Sequence, residues 1–192
     1  MVFNSISFFI FFTIVCLLML TTNLNFMKHH FGTHLRTIRQ TILLISSYIF
    51  YAWWDWRFAF LMFALTLIAY ICANRYIQTK KKIFTWIAVA VPLIVLGIFK
   101  YMNFFIDSFV TVFGISHTET LNIILPVGIS FYTFQSLSYS IDVIRKRQSP
   151  EKSLLKLSLY IAFFPQLVAG PIVKSQTFLP QLYEDRSISS DN

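Results

Sequence analysis

The sequence is poor in charged residues and in cysteine. Lys, Arg, Asp and Glu make up 12% of the 192 residues, whereas apolar residues make up 56% and include 22 Phe, 9 Tyr and 4 Trp. A soluble domain of this length needs a more highly charged surface, so the composition indicates a lipid environment. Cys16 and Cys72 both lie in apolar stretches. This pattern argues against a disulfide framework or a zinc site and predicts two small buried hydrophobic residues.

The charges that are present are mostly positive, with a formal net charge of +8. A nucleic-acid surface would gather Lys and Arg on one face among exposed aromatic residues, whereas here they lie in loops between apolar blocks. We therefore expect no nucleic-acid partner. No charged residue precedes Lys28, so the basic region of a cleavable signal peptide is missing and the first apolar block is expected to remain as an anchor.

Long uncharged windows predict transmembrane helices, because a segment in lipid must satisfy its backbone hydrogen bonds internally. The expected fold class is all-α, a polytopic transmembrane helical protein with about five spans plus a broken or re-entrant segment. The whole chain, 1–192, is expected to form one transmembrane portion that ends in a polar tail at 183–192. The predicted spans are near 3–24, 38–56, 58–76, 83–101 and 121–142.

Basic residues alternate between loops and predict the orientation. They are concentrated after the first, third and fifth blocks, whereas the intervening loops carry only Arg57 and Lys100. By the positive-inside rule the basic loops are cytoplasmic and the N-terminus lies outside. A cluster of tryptophans at 53–56 fits the outer interface. Residues 101–114 are interpreted either as an amphipathic helix on the outer surface or as an extension of the fourth helix.

The segment at 153–173, which is uncharged from Leu157 to Val173, contains Pro165, Gly170 and Pro171, too closely spaced for a regular span. A broken helix is expected here. Non-helical backbone at membrane depth is tolerated only where it is buried in protein or lines a water-filled cavity. The segment is therefore predicted to form the wall of a functional cavity.

Polar residues recur every three or four positions in the fifth block, which places them on one face of a helix. They are expected to face protein or a water-filled path, because unmade hydrogen bonds in lipid cost about 1 to 3 kcal/mol each. Their functional interpretation is the lining of a substrate or acyl channel. The alternative is hydrogen bonding between helices, with Asp142 paired to Arg145. The residues of this stripe are Gly128, Tyr132, Gln135, Tyr139 and Asp142.

No complete active site is visible in the residues alone. His29, His30, His34 and His117 lie in predicted loops and are interpreted as solvated side chains. The sequence contains no glycine-rich phosphate loop, no metal-ligand cluster and no serine nucleophile elbow. No metal site is expected.

Three stretches carry a more specific pattern. Residues 125–139 read LPVGISFYTFQSLSY and are followed by Ile141, Asp142 and Val143; residues 163–172 read FFPQLVAGPI and are followed by FLPQL; residues 48–54 read YIFYAWW. In this order they resemble the membrane-bound O-acyltransferase family, N-terminal part only, and its alginate O-acetyltransferase branch in particular.

The resemblance implies that an acyl group, expected to be acetyl, passes from a cytoplasmic thioester donor to a hydroxyl of an extracytoplasmic polysaccharide. The donor would be acetyl-CoA or an acyl carrier protein, an extracytoplasmic acetyltransferase could assist as partner, and the location would be the bacterial cytoplasmic membrane. The family's general base is a histidine expected beyond Asn192, so no catalytic residue is assigned here and this chain alone is expected to be inactive.

The resemblance and the residue patterns together nominate a set of channel residues. They are Gly128, Tyr132, Gln135, Tyr139, Asp142, Pro165, Gln166, Gly170 and Pro171. Three other functions stay open: a non-catalytic remnant or accessory membrane subunit, D-alanyl transfer to teichoic acid as in a sister branch, and a transporter component. The last is suggested by Pro126 and Pro165, which interrupt apolar segments as the discontinuous helices of transporters do.

Overall fold

The computed structural model describes residues 5–22, 34–113, 124–167, 170 and 173–184, and helix is the only regular secondary structure among them. The predicted all-α class is thus confirmed for this part of the chain. The helices are α1 (Ile6–Thr21), α2 (Leu35–Ala52), α3 (Trp56–Thr79), α4 (Lys82–Leu96), a π-helical turn (Gly97–Tyr101), α5 (Met102–Phe113), α6 (Ile129–Ile144), α7 (Leu154–Ala162), α8 (Phe164–Leu167) and α9 (Ser175–Gln181).

Helix α3 lies at the centre and packs against α2, α4, α6 and α7. It begins where the carboxylate of Asp55 accepts a hydrogen bond from the backbone N–H of Arg57 at 2.9 Å, a typical N-cap. Met62, Leu65 and Ala69 form its fully buried face, with exposed fractions of 1% or less. The hydrophobic core therefore follows one side of α3.

A single long helix runs from Lys82 to Phe113, because α4, the π-helical turn and α5 are continuous. The 31 residues of its apolar part, Lys82–Val112, span about 46 Å at 1.5 Å per residue. The extension of the fourth helix beyond Lys100 is thus what the structure contains, and a separate surface helix over 101–113 is not formed. The π-helical turn at Gly97–Tyr101 interrupts the regular α-helical hydrogen bonding of this helix.

The number of membrane-crossing helices differs from the prediction. Within the described residues two helices are long and apolar enough to span a bilayer, Trp56–Thr79 and Lys82–Val112, rather than five. Helices α1 and α6 have 16 residues each, about 24 Å at 1.5 Å per residue, which is less than the hydrocarbon core of about 30 Å. Helix α2 begins with Arg36, Arg39 and Gln40, which lower its hydropathy.

Helices α6 and α7 are both shorter than the sequence windows suggested. Helix α6 begins at Ile129, after Gly128 in the left-handed conformation with φ of 72°. At its other end Lys146 has a φ of 58°, and the N–H of Arg147 donates to the carbonyl of Asp142 at 2.8 Å. Helix α7 ends at Ala162. The non-helical residue Phe163 separates it from the four-residue helix α8.

Candidate functional site

Long-range contacts bring together the three stretches that carry the family resemblance. The Tyr51 hydroxyl donates to the carbonyl of Val127 at 2.8 Å, although the two residues are 76 positions apart. The backbone N–H of Phe164 donates to the hydroxyl of Ser47 at 3.3 Å. The region where the stretches meet is named the motif junction and consists of Ser47, Tyr51, Val127, Gly128, Phe164 and Leu167.

Gly128 is the tightest point of the motif junction. Its φ of 72° lies in the left-handed region, which side chains with a Cβ rarely adopt. A Cβ at this position would lie 2.9 Å from the backbone oxygen of Leu167, closer than real Cβ contacts come. Glycine is therefore required for two reasons. It adopts the left-handed conformation that leads the chain into α6, and it leaves room for the Leu167 carbonyl of the broken segment.

Aromatic rings surround the motif junction and fix its geometry. The rings of Tyr51 and Tyr132 meet edge to face with centroids 6.0 Å apart. Phe164 packs against Phe50 at 5.6 Å and against Phe11 of α1 at 5.4 Å. The Tyr51–Tyr132 and Phe11–Phe164 pairs are edge to face, and such pairs contribute about 0.5 to 1.5 kcal/mol beyond the area that they bury. Five segments of the chain, α1, α2, the turn before α6, α6 itself and α8, are therefore tied to one place.

The polar stripe predicted for the fifth block lies on the buried side of α6. Tyr132 and Tyr139 are 0% exposed, Gln135 is 1% exposed and Asp142 is 7% exposed. Gly128 precedes the helix instead of belonging to it. Because α6 packs mainly against α3 and α4, these side chains face protein. The Tyr132 hydroxyl and the side-chain oxygen of Gln135 have no hydrogen-bond partner within the described residues, so the hydrogen bonding between helices that the sequence analysis offered as an alternative stays a prediction.

A second polar face on α6 was missed by the sequence analysis. Thr133, Ser136 and Ser140 are buried with exposed fractions of 1% or less. Their hydroxyls, and the side-chain oxygen of Gln135, have no hydrogen-bond partner within the described ranges. Buried polar atoms are satisfied in nearly all native proteins, by protein groups or by ordered water. The spacing 133, 136 and 140 was the available sequence signal.

Asp142 pairs with Arg147 and not with Arg145, which corrects the pairing considered in the sequence analysis. The carboxylate oxygen Oδ1 of Asp142 lies 3.7 Å from Nη1 of Arg147. The reason is the reversal of the chain at Lys146, whose positive φ carries Arg147 back over the end of α6. Asp142 and Arg147 also line a cleft of about 900 Å³ together with Lys174.

A buried carboxylate organises the C-terminal end of α6, the end opposite the motif junction. Glu151 is 7% exposed, and its Oε1 accepts hydrogen bonds from the Tyr183 hydroxyl at 2.6 Å and from the N–H of Ser153 at 2.9 Å. Its backbone N–H donates to the Tyr139 hydroxyl at 2.8 Å, and its carbonyl accepts from the Asn74 amide at 3.2 Å. We name these residues the Glu151 cluster. The sequence signal was a lone acidic residue in a basic loop.

The pKa of Tyr183 is raised to about 12 from an ordinary value of 10, by desolvation first and then by the adjacent Glu151 carboxylate. The neutral phenol is therefore favoured in the folded state, and its contribution to stability is complete below pH 10 and disappears as the pH rises through 12. The difference in ultraviolet absorbance between wild type and Tyr183→Phe is expected to show half-ionisation near pH 12. A midpoint near pH 10 would contradict the hydrogen bond to Glu151.

The remaining candidate residues lie around the interruption at Phe163. Gln166 is 8% exposed, whereas Pro165 and Gly170 are exposed, and Gly170 has a φ of 140°. Pro171 lies outside the described residues, as do His29, His30 and His117; His34 is exposed at the start of α2. Within the described ranges, no group of His, Cys, Asp and Glu that could hold a metal occurs.

The motif junction thus offers tyrosine and serine hydroxyls and backbone carbonyls in an apolar surrounding. Such groups hold and orient other groups by hydrogen bonds. Among its described residues there is no nucleophile beside a base. The channel role that the resemblance implies for Gly128 and its neighbours stays a prediction.

Comparison with known proteins identifies relatives of this chain. It is 39% identical over 151 residues to a Pseudomonas aeruginosa protein named probable alginate O-acetylase, covering 74% of this chain and 29% of that protein. An Azotobacter vinelandii protein of the same name is 39% identical over 152 residues, with 74% and 30% covered. A Helicobacter pylori peptidoglycan O-acetyltransferase is 31% identical over 173 residues, with 76% and 32% covered.

The chain spans about 30% of the length of these relatives. No protein-family model matches it, and no solved structure matches it significantly. The similarity to the relatives extends over about three quarters of the chain, and the stretches quoted for the resemblance converge on the motif junction in the fold. The chain is homologous to the alginate O-acetylases over about three quarters of its length, and the match is consistent with the N-terminal part of a membrane-bound O-acyltransferase.

Proposed function

We propose that this chain is part of a membrane O-acetyltransferase that moves an acetyl group from a cytoplasmic thioester donor to a hydroxyl of an extracytoplasmic polysaccharide. The observation that carries the proposal is the identity of up to 39% with proteins named alginate O-acetylase, joined by a peptidoglycan O-acetyltransferase. Acetyl-CoA or an acyl carrier protein is the proposed donor, and an extracytoplasmic acetyltransferase the proposed partner.

The proposed location is the bacterial cytoplasmic membrane, crossed several times with the N-terminus outside. Large apolar side chains on the surface support a lipid environment, among them Trp86 at 68% exposed and Phe104 at 64% exposed. Contacts also support the orientation. The basic ends of α2 and α3 lie beside the C-terminal part of the chain, where Gln40 donates to the Leu182 carbonyl and Asn74 to the Glu151 carbonyl.

Within this function we propose that the motif junction shapes the channel between donor and acceptor. Gly128 allows the Leu167 carbonyl to approach closely at the start of α6. The Tyr51 hydroxyl holds the turn before α6 by its hydrogen bond to the Val127 carbonyl. Tyr132, Gln135 and Tyr139 continue the buried polar face along α6. We propose that the general base comes from the region of the enzyme that corresponds to the unmatched length of the relatives.

Deletion and complementation of the gene that encodes this sequence test the proposal. Ester-linked acetate is measured in the extracellular polysaccharide and in the peptidoglycan after mild alkaline release. The deletion strain is expected to lose the acetate of one polymer by at least tenfold, and the gene is expected to restore it. Unchanged acetate in both polymers, or loss of ester-linked D-alanine from teichoic acid instead, would refute O-acetyl transfer.

A further inference from the structure

The cleft that Asp142 and Arg147 line lies between α4 and α6 and is named the α4–α6 cleft. Its volume is about 900 Å³. Apart from one serine its wall is apolar, and the described residues of this wall are Val89, Leu93, Phe134, Leu137, Ser138 and Ile141. Binding sites for small molecules have this size, a mostly apolar wall and a few polar groups. The cleft is therefore a candidate ligand site separate from the motif junction.

The charged residues of the cleft lie together at the C-terminal end of α6. Asp142 and Arg147 face each other there, with Oδ1 and Nη1 3.7 Å apart. Lys174 is brought to the same end by the residue after it, because the hydroxyl of Ser175 donates to Oε1 of Gln148 at 3.0 Å. Among the described residues this end carries two cations and one carboxylate. A positive charge is therefore left for an anionic group.

The depth of the cleft corresponds to one leaflet of a bilayer. Helix α4 begins at Lys82, in the basic loop after the third block, and α6 ends at Ile144, before the basic loop after the fifth block. In the proposed orientation both of these ends are cytoplasmic. The deepest wall residues, Leu93 and Phe134, lie about 15 Å along the helices from these ends at 1.5 Å per residue. This distance is about half of a hydrocarbon core of about 30 Å.

A cationic mouth above an apolar wall of this depth matches a phospholipid with an anionic headgroup. Basic pockets between transmembrane helices on the cytoplasmic side bind such headgroups. The wall is open to an acyl chain, since Leu93 is 46% exposed and Phe134 is 45% exposed. The acetyl group of the proposed donor carries a single methyl group, so it does not account for an apolar wall that follows two helices.

We propose that the α4–α6 cleft binds an anionic phospholipid of the cytoplasmic leaflet, with an acyl chain along the apolar wall and the phosphate beside Lys174 and Arg147. Arg147 keeps its ion pair with Asp142, and Lys174 supplies the charge that favours an anionic over a zwitterionic headgroup. The inference goes beyond the proposed function. It uses the proposed membrane orientation and does not depend on acetyl transfer.

Photo-crosslinking in nanodiscs tests the lipid site. The protein is embedded in phosphatidylcholine that contains a small fraction of phosphatidylglycerol with a diazirine on one acyl chain, and the labelled peptides are identified by mass spectrometry. Label is expected on α4 at 89–93 and on α6 at 134–141, and unlabelled phosphatidylglycerol should displace it. Phosphatidylcholine with the same diazirine is expected to label these peptides about fivefold less, because it lacks the net negative charge.

Two variants with matched controls separate the headgroup from the acyl chain. Lys174→Gln is expected to lower labelling by phosphatidylglycerol about fivefold, the effect of one basic residue near an anionic surface. Lys81→Gln removes an exposed cation of the same predicted side that does not line the cleft, and should leave labelling unchanged. Ser138→Trp should fill the cleft and prevent labelling by both lipids. Ile94→Trp, at a 58% exposed position of α4 outside the cleft, should not.

Equal loss of labelling in Lys174→Gln and Lys81→Gln would overturn the proposal, because the attraction would then belong to the whole basic surface. So would the absence of label from α4 and α6, because another part of the protein would then cover the cleft. Displacement of the label by coenzyme A or inorganic phosphate would also overturn it, since the charged end would then bind a soluble phosphate. If the lipid binds as expected and the deletion strain keeps its acetate, the proposed function fails while the lipid site stands.

Discussion

Gly128→Val is expected to lower the free energy of unfolding by about 2 to 4 kcal/mol. Part of the loss comes from a φ of 72°, which costs a residue with a Cβ about 1 to 2 kcal/mol. The rest comes from the Leu167 carbonyl oxygen, which would lie 2.9 Å from the new Cβ and has to move. Because the motif junction closes around this contact, the O-acetylation proposed for this protein is expected to fall more than tenfold.

The matched control for this glycine is Gly97→Ala. Gly97 has an ordinary helical φ of −59°, and nothing lies within 4 Å of a Cβ built there. Alanine is favoured over glycine in a helix by up to about 1 kcal/mol, so this variant should be as stable as wild type or slightly more stable. Stability is measured by titration with a denaturing detergent in mixed micelles. Equal stability of the two variants would contradict the close approach of Gly128 and Leu167.

Glu151→Ala is expected to lower the free energy of unfolding by about 2 kcal/mol and to release α9 from the bundle. The substitution removes the acceptor of two hydrogen bonds, from Ser153 and from Tyr183, and leaves the N–H of the half-buried Ser153 without its partner. Tyr183 is 49% exposed, so its hydroxyl can regain a partner in water, which limits the loss. Glu151→Gln keeps an acceptor oxygen and should lose about half as much.

Hydrogen exchange over Ser175–Gln181 measures the release directly, because the amides of α9 exchange faster when the helix undocks. Asp107→Ala is the control, since it removes a carboxylate from an exposed position on α5 and should change stability by less than about 0.5 kcal/mol. If exchange over α9 is the same in Glu151→Ala as in wild type, the Glu151 cluster does not hold the C-terminal part of the chain.

Features that depend on neighbours within one helix were predictable. The periodicity of Tyr132, Gln135 and Tyr139 predicted a common face, and all three are buried together on α6. The closely spaced Pro165 and Gly170 predicted an interrupted helix, and the helix is interrupted at Phe163. In each case the information lies within a few residues, where backbone geometry alone decides which side chains are adjacent.

Composition and residue pattern by themselves determined the helical class of the described residues and the buried face of α6, and three short motifs carried the resemblance to the O-acyltransferase family. Only the tertiary structure decided that Tyr51 meets Val127, that Gly128 faces Leu167 and that Glu151 joins Tyr139 to Tyr183. It also decided that two helices, not five, are long and apolar enough to cross a bilayer. The physical reason is that such contacts join distant positions, 76 apart for Tyr51 and Val127, so they depend on how whole helices pack and end.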